Sequence, residues 1–282
     1  MKHLVSFRLP SVALSAILML ASCSGGGSPT SQSSDVRAAT PRQTKNAPGM
    51  PETAREPETA EADVAASIPP AQWGSIVGRV TLQGTAPPRG VIDVNKDVEV
   101  CSKGDTTSRE LLIGPDNGVA NAVVYLKSVT GGRGLQKPDE HPVVDQRGCR
   151  YEPHILLVPA GSTIDFKNSD GILHNLHTYS HINTPFNAAQ PKFKKIVSKE
   201  LDHAEIIHLT CDVHGWMRGW VVVQDHPYYA LTGTSGTFHL DGVPPGTYDI
   251  EVWHETLGSY TGKVTVKATQ PTQHDVSMRL PG

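Results

Sequence analysis

The sequence predicts an all-β chain built from sandwiches. Nearly every apolar stretch after Trp73 alternates with period two or is short enough for a single strand. Turn chemistry separates such stretches, as at Pro159-Ala160-Gly161 and Pro244-Pro245-Gly246. No window shows a 3.6-residue period, and only "SKELDHAE", from Ser198, has the composition for a turn or two of helix.

Residues 1–22 read as a leader. Lys2 and Arg8 precede the apolar run "SVALSAILML", and small residues lead into Cys23. The end of this run, "LASC", resembles the lipobox of bacterial lipoprotein signals. The resemblance implies cleavage before Cys23, acylation of that residue, and anchoring to a lipid bilayer at the cell envelope, on its periplasmic or surface side. Ser24 stands where an inner-membrane retention signal would place Asp, which points to the outer membrane if the cell is Gram-negative. Residues 23–72 contain no aromatic side chain, cannot bury enough apolar surface to offset the entropy of ordering, and read as a flexible tether.

Strands follow in order. "SIVGRVTL" places Ile76, Val80 and Leu82 on one face with Gly78 between them, and "NAVVYLKSV" is the next candidate. "HILLV" and "STIDF" flank the Pro159–Gly161 turn. "EIIHLTC" alternates Ile207, Leu209 and Cys211 inward, or the opposite set in a shifted register, and "WVVVQ" comes soon after. In the last third Phe238 and Leu240 alternate before the Pro-Pro-Gly turn, Tyr248, Ile250 and Val252 after it, then Val264 with Val266, and finally Val276, Met278 and Leu280.

"GTFHLDGVPPGTYDIEVWHE" resembles the carboxypeptidase regulatory-like and transthyretin-like modules, whose pattern is a short hairpin followed by further strands. "GSIVGRVTLQGTAPP" and "GVANAVVYLKSV" resemble the opening strands of the same Ig-like module. The resemblance implies opening strands at 73–130, a different domain at 131–228, and closing strands at 229–282. A tandem arrangement with a boundary near residue 228 is the alternative.

The intervening domain carries the chemistry. "CDVHGWM" sets Cys211, His214 and Met217 within seven residues, and thiolate, imidazole and thioether together favour copper that shuttles between Cu(I) and Cu(II). A second imidazole must come from another loop. His174, in "NSDGILHNLHTYS", is the candidate, with His177 three residues on as a competitor.

This pattern resembles the cupredoxins, or blue copper proteins, and among them the amicyanin-like branch. That branch has Cys-x2-His-x2-Met followed by "RGxVxV", and an upstream His-Asn-Val-His; this chain has "CDVHGWMRGWVVV" and "HNLH". The resemblance implies a Greek-key sandwich and one type 1 copper held by His174, Cys211, His214 and Met217. Asn175 would hydrogen-bond across to the cysteine loop, and the ring edge of His214 would lie near the surface, with Trp216 a possible docking residue. It further implies single-electron transfer with an extracytoplasmic redox protein, such as a cytochrome or oxidoreductase, and no catalysis. The alternatives are a copper chaperone, a cell-surface binding module with a structural metal site, or a zinc site, for which Met is a poor ligand.

If Cys23 carries lipid and Cys211 binds metal, Cys101 and Cys149 remain of the four cysteines. Outside the cytoplasm two such thiols commonly pair, the alternatives being separate buried thiols or a second metal site. His154 and His208 read as packed or solvent-facing, the alternative for His154 being a ligand in a second copper site. The net charge of −3, from 25 Lys plus Arg and 28 Asp plus Glu, argues against nucleic acid as a partner. "PKFKK", Pro191 to Lys195, reads as a solvated loop or as a patch that steers an acidic protein. No Ser, His and acidic residues are grouped as a nucleophile and its base.

Overall fold

The computed structural model describes residues 69–282, so the leader, Cys23 and nearly all of the tether lie outside the described residues. Among the described residues no helix is long and apolar enough to cross a membrane.

The first strand among the described residues is β1 (Gly74–Leu82), whose burial alternates residue by residue. An irregular stretch then carries the four-residue helix α1 (Val98–Cys101) before β2 (Val123–Lys127). Nine strands follow: β3 (Val143–Gln146), β4 (Tyr151–Glu152), β5 (Ile155–Pro159), β6 (Ser162–Asn168), β7 (His174–Tyr179), β8 (Asn187–Gln190), β9 (Ile196–Leu201), β10 (Glu205–Thr210) and β11 (Arg218–Gln224). The last six are β12 (Tyr229–Leu231), β13 (Thr237–Val243), β14 (Gly246–His254), β15 (Gly258–Val266), β16 (Pro271–Gln273) and β17 (Val276–Met278).

Strand pairing sorts these elements into two sandwiches. β3 to β11 form a five-stranded sheet, β5-β11-β10-β7-β8, and a four-stranded one, β4-β3-β6-β9. β1 pairs with β13, β16 and β17, while β2 lies between β12 and β14, with β15 beyond. One sandwich is therefore spliced between β2 and β12 of the other.

The all-β class agrees with the sequence reading, but three local expectations are corrected. "SKELDHAE" makes no helix: Ile196–Leu201 is β9, whose backbone pairs antiparallel with β6 while alternate residues, Val197, Lys199 and Leu201, share the more buried face of the sheet. The Pro244–Gly246 turn does not close a hairpin. β13 pairs with β1 and β14 with β2, so this turn carries the chain from one sheet to the one facing it across the core. Leu280, read as the third of the alternating set with Val276 and Met278, lies beyond β17 and is 38% exposed.

Each sandwich has its own core. Ile76, Val80, Leu126, Leu240, Ile250 and Val252 fill one; Ile164, Phe166, Leu176, Ile207, Leu209 and Val221 fill the other. The unbroken "WVVV" run of β11 follows from burial on both faces. Val221 and Val223 enter the inserted core, whereas Val222 packs with Val123 of β2 and Ile155 of β5 in a separate cluster joining the sandwiches. Fully burying such a side chain contributes about 1.5–3 kcal/mol.

Glu205, at the start of β10, clamps the turn before β8. Its carboxylate accepts from the Ser180 hydroxyl and from the N–H groups of His181, Ile182 and Asn183, together with the Asn183 side-chain amide. Burial opposes its ionisation, but these donors outweigh burial and bring its pKa from 4.5 down to about 2. A folded-state pKa below the unfolded one gives stability that is complete above the unfolded value and is lost as pH falls through the folded one. Thermal melts are expected to show a midpoint that declines between about pH 4.5 and 2, with a shallower decline in Glu205→Gln.

Candidate metal centre

The two ligand loops emerge side by side from the five-stranded sheet. β7 opens with His174, after a turn organised by Asn168. The buried Asn168 amide donates to the carbonyls of Ile172 (2.8 Å) and Gln190 (2.8 Å), and its oxygen accepts the Asp170 N–H (3.2 Å). Gly171, at φ 72°, occupies the left-handed region that lets this turn reverse. β10 ends at Thr210 and delivers Cys211, and the seven-residue loop closes on itself. The Cys211 N–H donates to the Met217 carbonyl (3.3 Å) and the Met217 N–H to the His214 carbonyl (2.9 Å). The Tyr151 hydroxyl lies 2.6 Å from the Asn175 carbonyl and 2.8 Å from that of Thr210, bracing the two loops from behind.

His174, Cys211 and His214 are all buried, and their ligand atoms lie within 4.8 Å of one another. The two Nδ1 atoms are 3.0 Å apart, and Cys211 Sγ is 3.8 Å from His214 Nδ1. Cys211 is the free cysteine among the described residues, and Met217 is buried in the same core cluster.

Each imidazole is held from behind by a carboxylate. His174 Nε2 donates to Asp170 Oδ2 (2.8 Å) and His214 Nε2 to Asp97 Oδ2 (2.9 Å). With those N–H groups engaged, both Nδ1 lone pairs face the same small volume, where they repel unless a proton or cation lies between them. This donor set fits a metal ion. Ligating histidines are ordinarily fixed by such partners, which set the tautomer and raise ligand basicity.

The electrostatics follow from these contacts. Burial works against the Cys211 thiolate, but the His174 hydrogen bond and the backbone N–H groups of His214, Val213 and Asn175 outweigh it, placing the thiol below its ordinary pKa. Burial also disfavours protonated His174, yet Asp170 and then Cys211 hold its pKa above the usual value. For His214, burial prevails over Asp97 and its pKa is lowered.

Other candidate residues fall into place around this centre. Asn175 accepts the Asp212 N–H (3.3 Å) and so reaches the cysteine loop. His177 turns away, its Nδ1 2.9 Å from Asp212 Oδ1. His154 bonds Glu255, and His208 stacks on Trp220 with ring centroids 4.4 Å apart. Cys101 and Cys149 are joined in a disulfide, as expected. A second grouping, Cys149, Asp170 and His174, is also close in space, but the Cys149 sulfur is spent in that bond and offers no thiolate.

One expectation is overturned. The ring edge of His214 is not at the surface: the side chain is 0% exposed, with Nε2 covered by Asp97 from the segment between β1 and β2. Trp216 is likewise half-buried, its indole N–H donating to the Cys149 carbonyl (3.2 Å) and its ring 5.1 Å from that of His214. The sequence reading missed Asp97 and Asp170. Asp170, four residues before His174, could have been found by its spacing, whereas Asp97 is 117 residues from His214 with nothing local to mark it.

Residues 220–279 match the carboxypeptidase regulatory-like domain. No curated protein matches the chain. Among solved structures it is similar to a copper-containing nitrite reductase, NirK, from Thermus scotoductus SA-01, at 19% identity and TM-score 0.29 over 34% of this chain, spanning only 25% of that enzyme. It is similar to a purple cupredoxin from Nitrosopumilus maritimus, at 19% identity and TM-score 0.26 over 29% of this chain and 99% of that one. A singly substituted amicyanin in the Cu(I) state gives 24% identity and TM-score 0.28 over 36% of this chain and 98% of that one. The described residues are all-β and combine two sandwiches, one of which contains most of the residues that match the regulatory-like domain.

Proposed function

We propose that the inserted sandwich holds one copper ion on His174, Cys211, His214 and Met217, in a protein anchored to the cell envelope through acylated Cys23. The observation that carries this reading is the convergence of two carboxylate-backed Nδ1 atoms and one free thiol within 4.8 Å. When bound, copper supplies one-electron exchange; thiolate, imidazole and thioether together tolerate both of its oxidation states. The chain's own contribution is to keep the rings oriented, donate N–H groups to the sulfur and exclude water.

For the role of the ion, burial of His214 favours a binding module that keeps its metal. An imidazole enclosed by Asp97 and Trp216 offers no open edge to a partner. The second reading is an electron carrier for an extracytoplasmic redox protein, favoured by the donor set, with electrons leaving elsewhere than through His214.

Titration of the metal-free chain with copper is expected to give one ion per chain and an intense visible absorption with a matching EPR signal. Preference for zinc over copper, or no saturable binding, would overturn the copper reading. Mixing the Cu(II) form with a reduced c-type cytochrome separates the roles: rapid transfer marks a carrier, and no transfer with copper retained against a chelator marks a holding module.

A further inference from the structure

We propose that α1 is a cap over the His214 side of the metal site, latched by the Cys101–Cys149 disulfide, with Asp97 as the residue that positions His214. The proposal rests on the copper reading above.

The latch joins both imidazole supports. On one arm, Asp97 precedes α1, and its carbonyl accepts the N–H groups of Val100 and Cys101 (both 2.9 Å) while its carboxylate holds His214 Nε2. On the other arm, the Cys149 N–H donates to Asp170 Oδ2 (2.8 Å), the oxygen that also takes His174 Nε2. The Cys149 carbonyl receives the Trp216 indole N–H, and Trp216 packs on His214. The disulfide therefore ties the backbone that carries Asp97 to the backbone that hydrogen-bonds Asp170.

A four-residue helix does not persist alone, since nucleation costs more than so few hydrogen bonds return. α1 fully buries one residue, Cys101, which carries the disulfide, while Val100 packs only partly buried against the same core. Breaking the bond frees α1 to fray, withdraws Asp97 from His214 and exposes the metal-site edge. The reductant is an extracytoplasmic dithiol. Its thiolate attacks one sulfur to give a mixed disulfide, and its second thiol resolves this. The dithiol is oxidised to a disulfide, and its two protons end on the Cys101 and Cys149 thiols. The cap thus makes access to the metal depend on the redox state of the compartment.

The test uses the metal-free full chain and follows alkylation of Cys211, buried at 2% exposure, by iodoacetamide. Asp97→Ala, with its disulfide intact, and the Cys101→Ser/Cys149→Ser double variant are each expected to label roughly ten-fold faster than the parent, since losing a hydrogen bond to a charged group raises the population of the locally open site by about that factor. Asp97→Asn, which retains an acceptor for the His214 N–H, should restore protection. Parental labelling of Asp97→Ala would overturn the proposal, and that variant decides the matter if the double variant does not melt cooperatively. In the copper-loaded chain, Asp97→Ala should lose copper to a chelator about ten-fold faster. If the parent chain binds no copper while the labelling pattern holds, the copper reading fails and the cap stands.

Discussion

Replacing Cys211 with serine is expected to abolish the visible absorption of the copper-loaded chain and to weaken copper binding by roughly a hundred-fold or more, beyond the loss that removing an outer hydrogen-bond partner causes. The sulfur is the one soft anionic donor in the cluster, and serine presents a neutral hydroxyl at neutral pH. The fold should survive, because Cys211 takes no part in the disulfide and serine is nearly isosteric with it. Three backbone N–H groups near the sulfur favour a negative charge there, and a serine hydroxyl gives them a weaker acceptor. Isothermal titration with copper, paired with EPR, reads the effect. If serine gave unchanged affinity and spectrum, the metal would be held by His174 and Asp170 without the cysteine loop.

Much of this centre was legible because its signals are local. The Cys-x2-His-x2-Met spacing closes into one loop through two backbone hydrogen bonds, and "HNLH" starts a strand beside it. Strand faces were legible for the same reason: alternation in β1 and β10 reports burial directly. What escaped notice depends on contacts distant in sequence. The role of Asp97 exists only because a segment of the first sandwich folds over the second, and periodicity does not encode which carboxylate a neighbouring domain supplies. The direction taken at Pro244–Gly246 escaped likewise, since a turn's composition shows that the chain reverses but not whether the next strand pairs or crosses to the facing sheet. For "SKELDHAE", helix-favouring residue types yielded to the pairing that β6 offered along β9. The exposed His214 edge failed for a different reason. It came from the resemblance alone, and here the segment between β1 and β2 places Asp97 on the ring and buries it.

That dependence of one sandwich on the other makes the first sandwich a test of stability apart from metal chemistry, and Gly78→Ala is the substitution with the largest expected effect there. β1 lies between β13 and the C-terminal strands, with Ile76, Val80 and Leu82 buried on the face that Gly78 shares. Between β16 and β17 the chain arches over this glycine, where the His274 N–H donates to the Val77 carbonyl (2.9 Å) and Asp275 accepts the Arg79 N–H (2.9 Å). A Cβ at residue 78 would lie 1.9 Å from the His274 carbonyl oxygen and 2.7 Å from the Phe238 ring. The nearest obstacle is backbone, so relief requires the arch to lift and forfeit those hydrogen bonds. Overpacking costs about 1–3 kcal/mol where side chains can adjust, and this site belongs at or above the upper end. Urea unfolding followed by circular dichroism should show a loss of about 3 kcal/mol for Gly78→Ala. Gly104→Ala, where an added Cβ meets nothing within 4 Å, should change little. Equal stability of the two variants would mean that the C-terminal strands do not close over β1, and the first sandwich would then lack the edge that β16 and β17 give it.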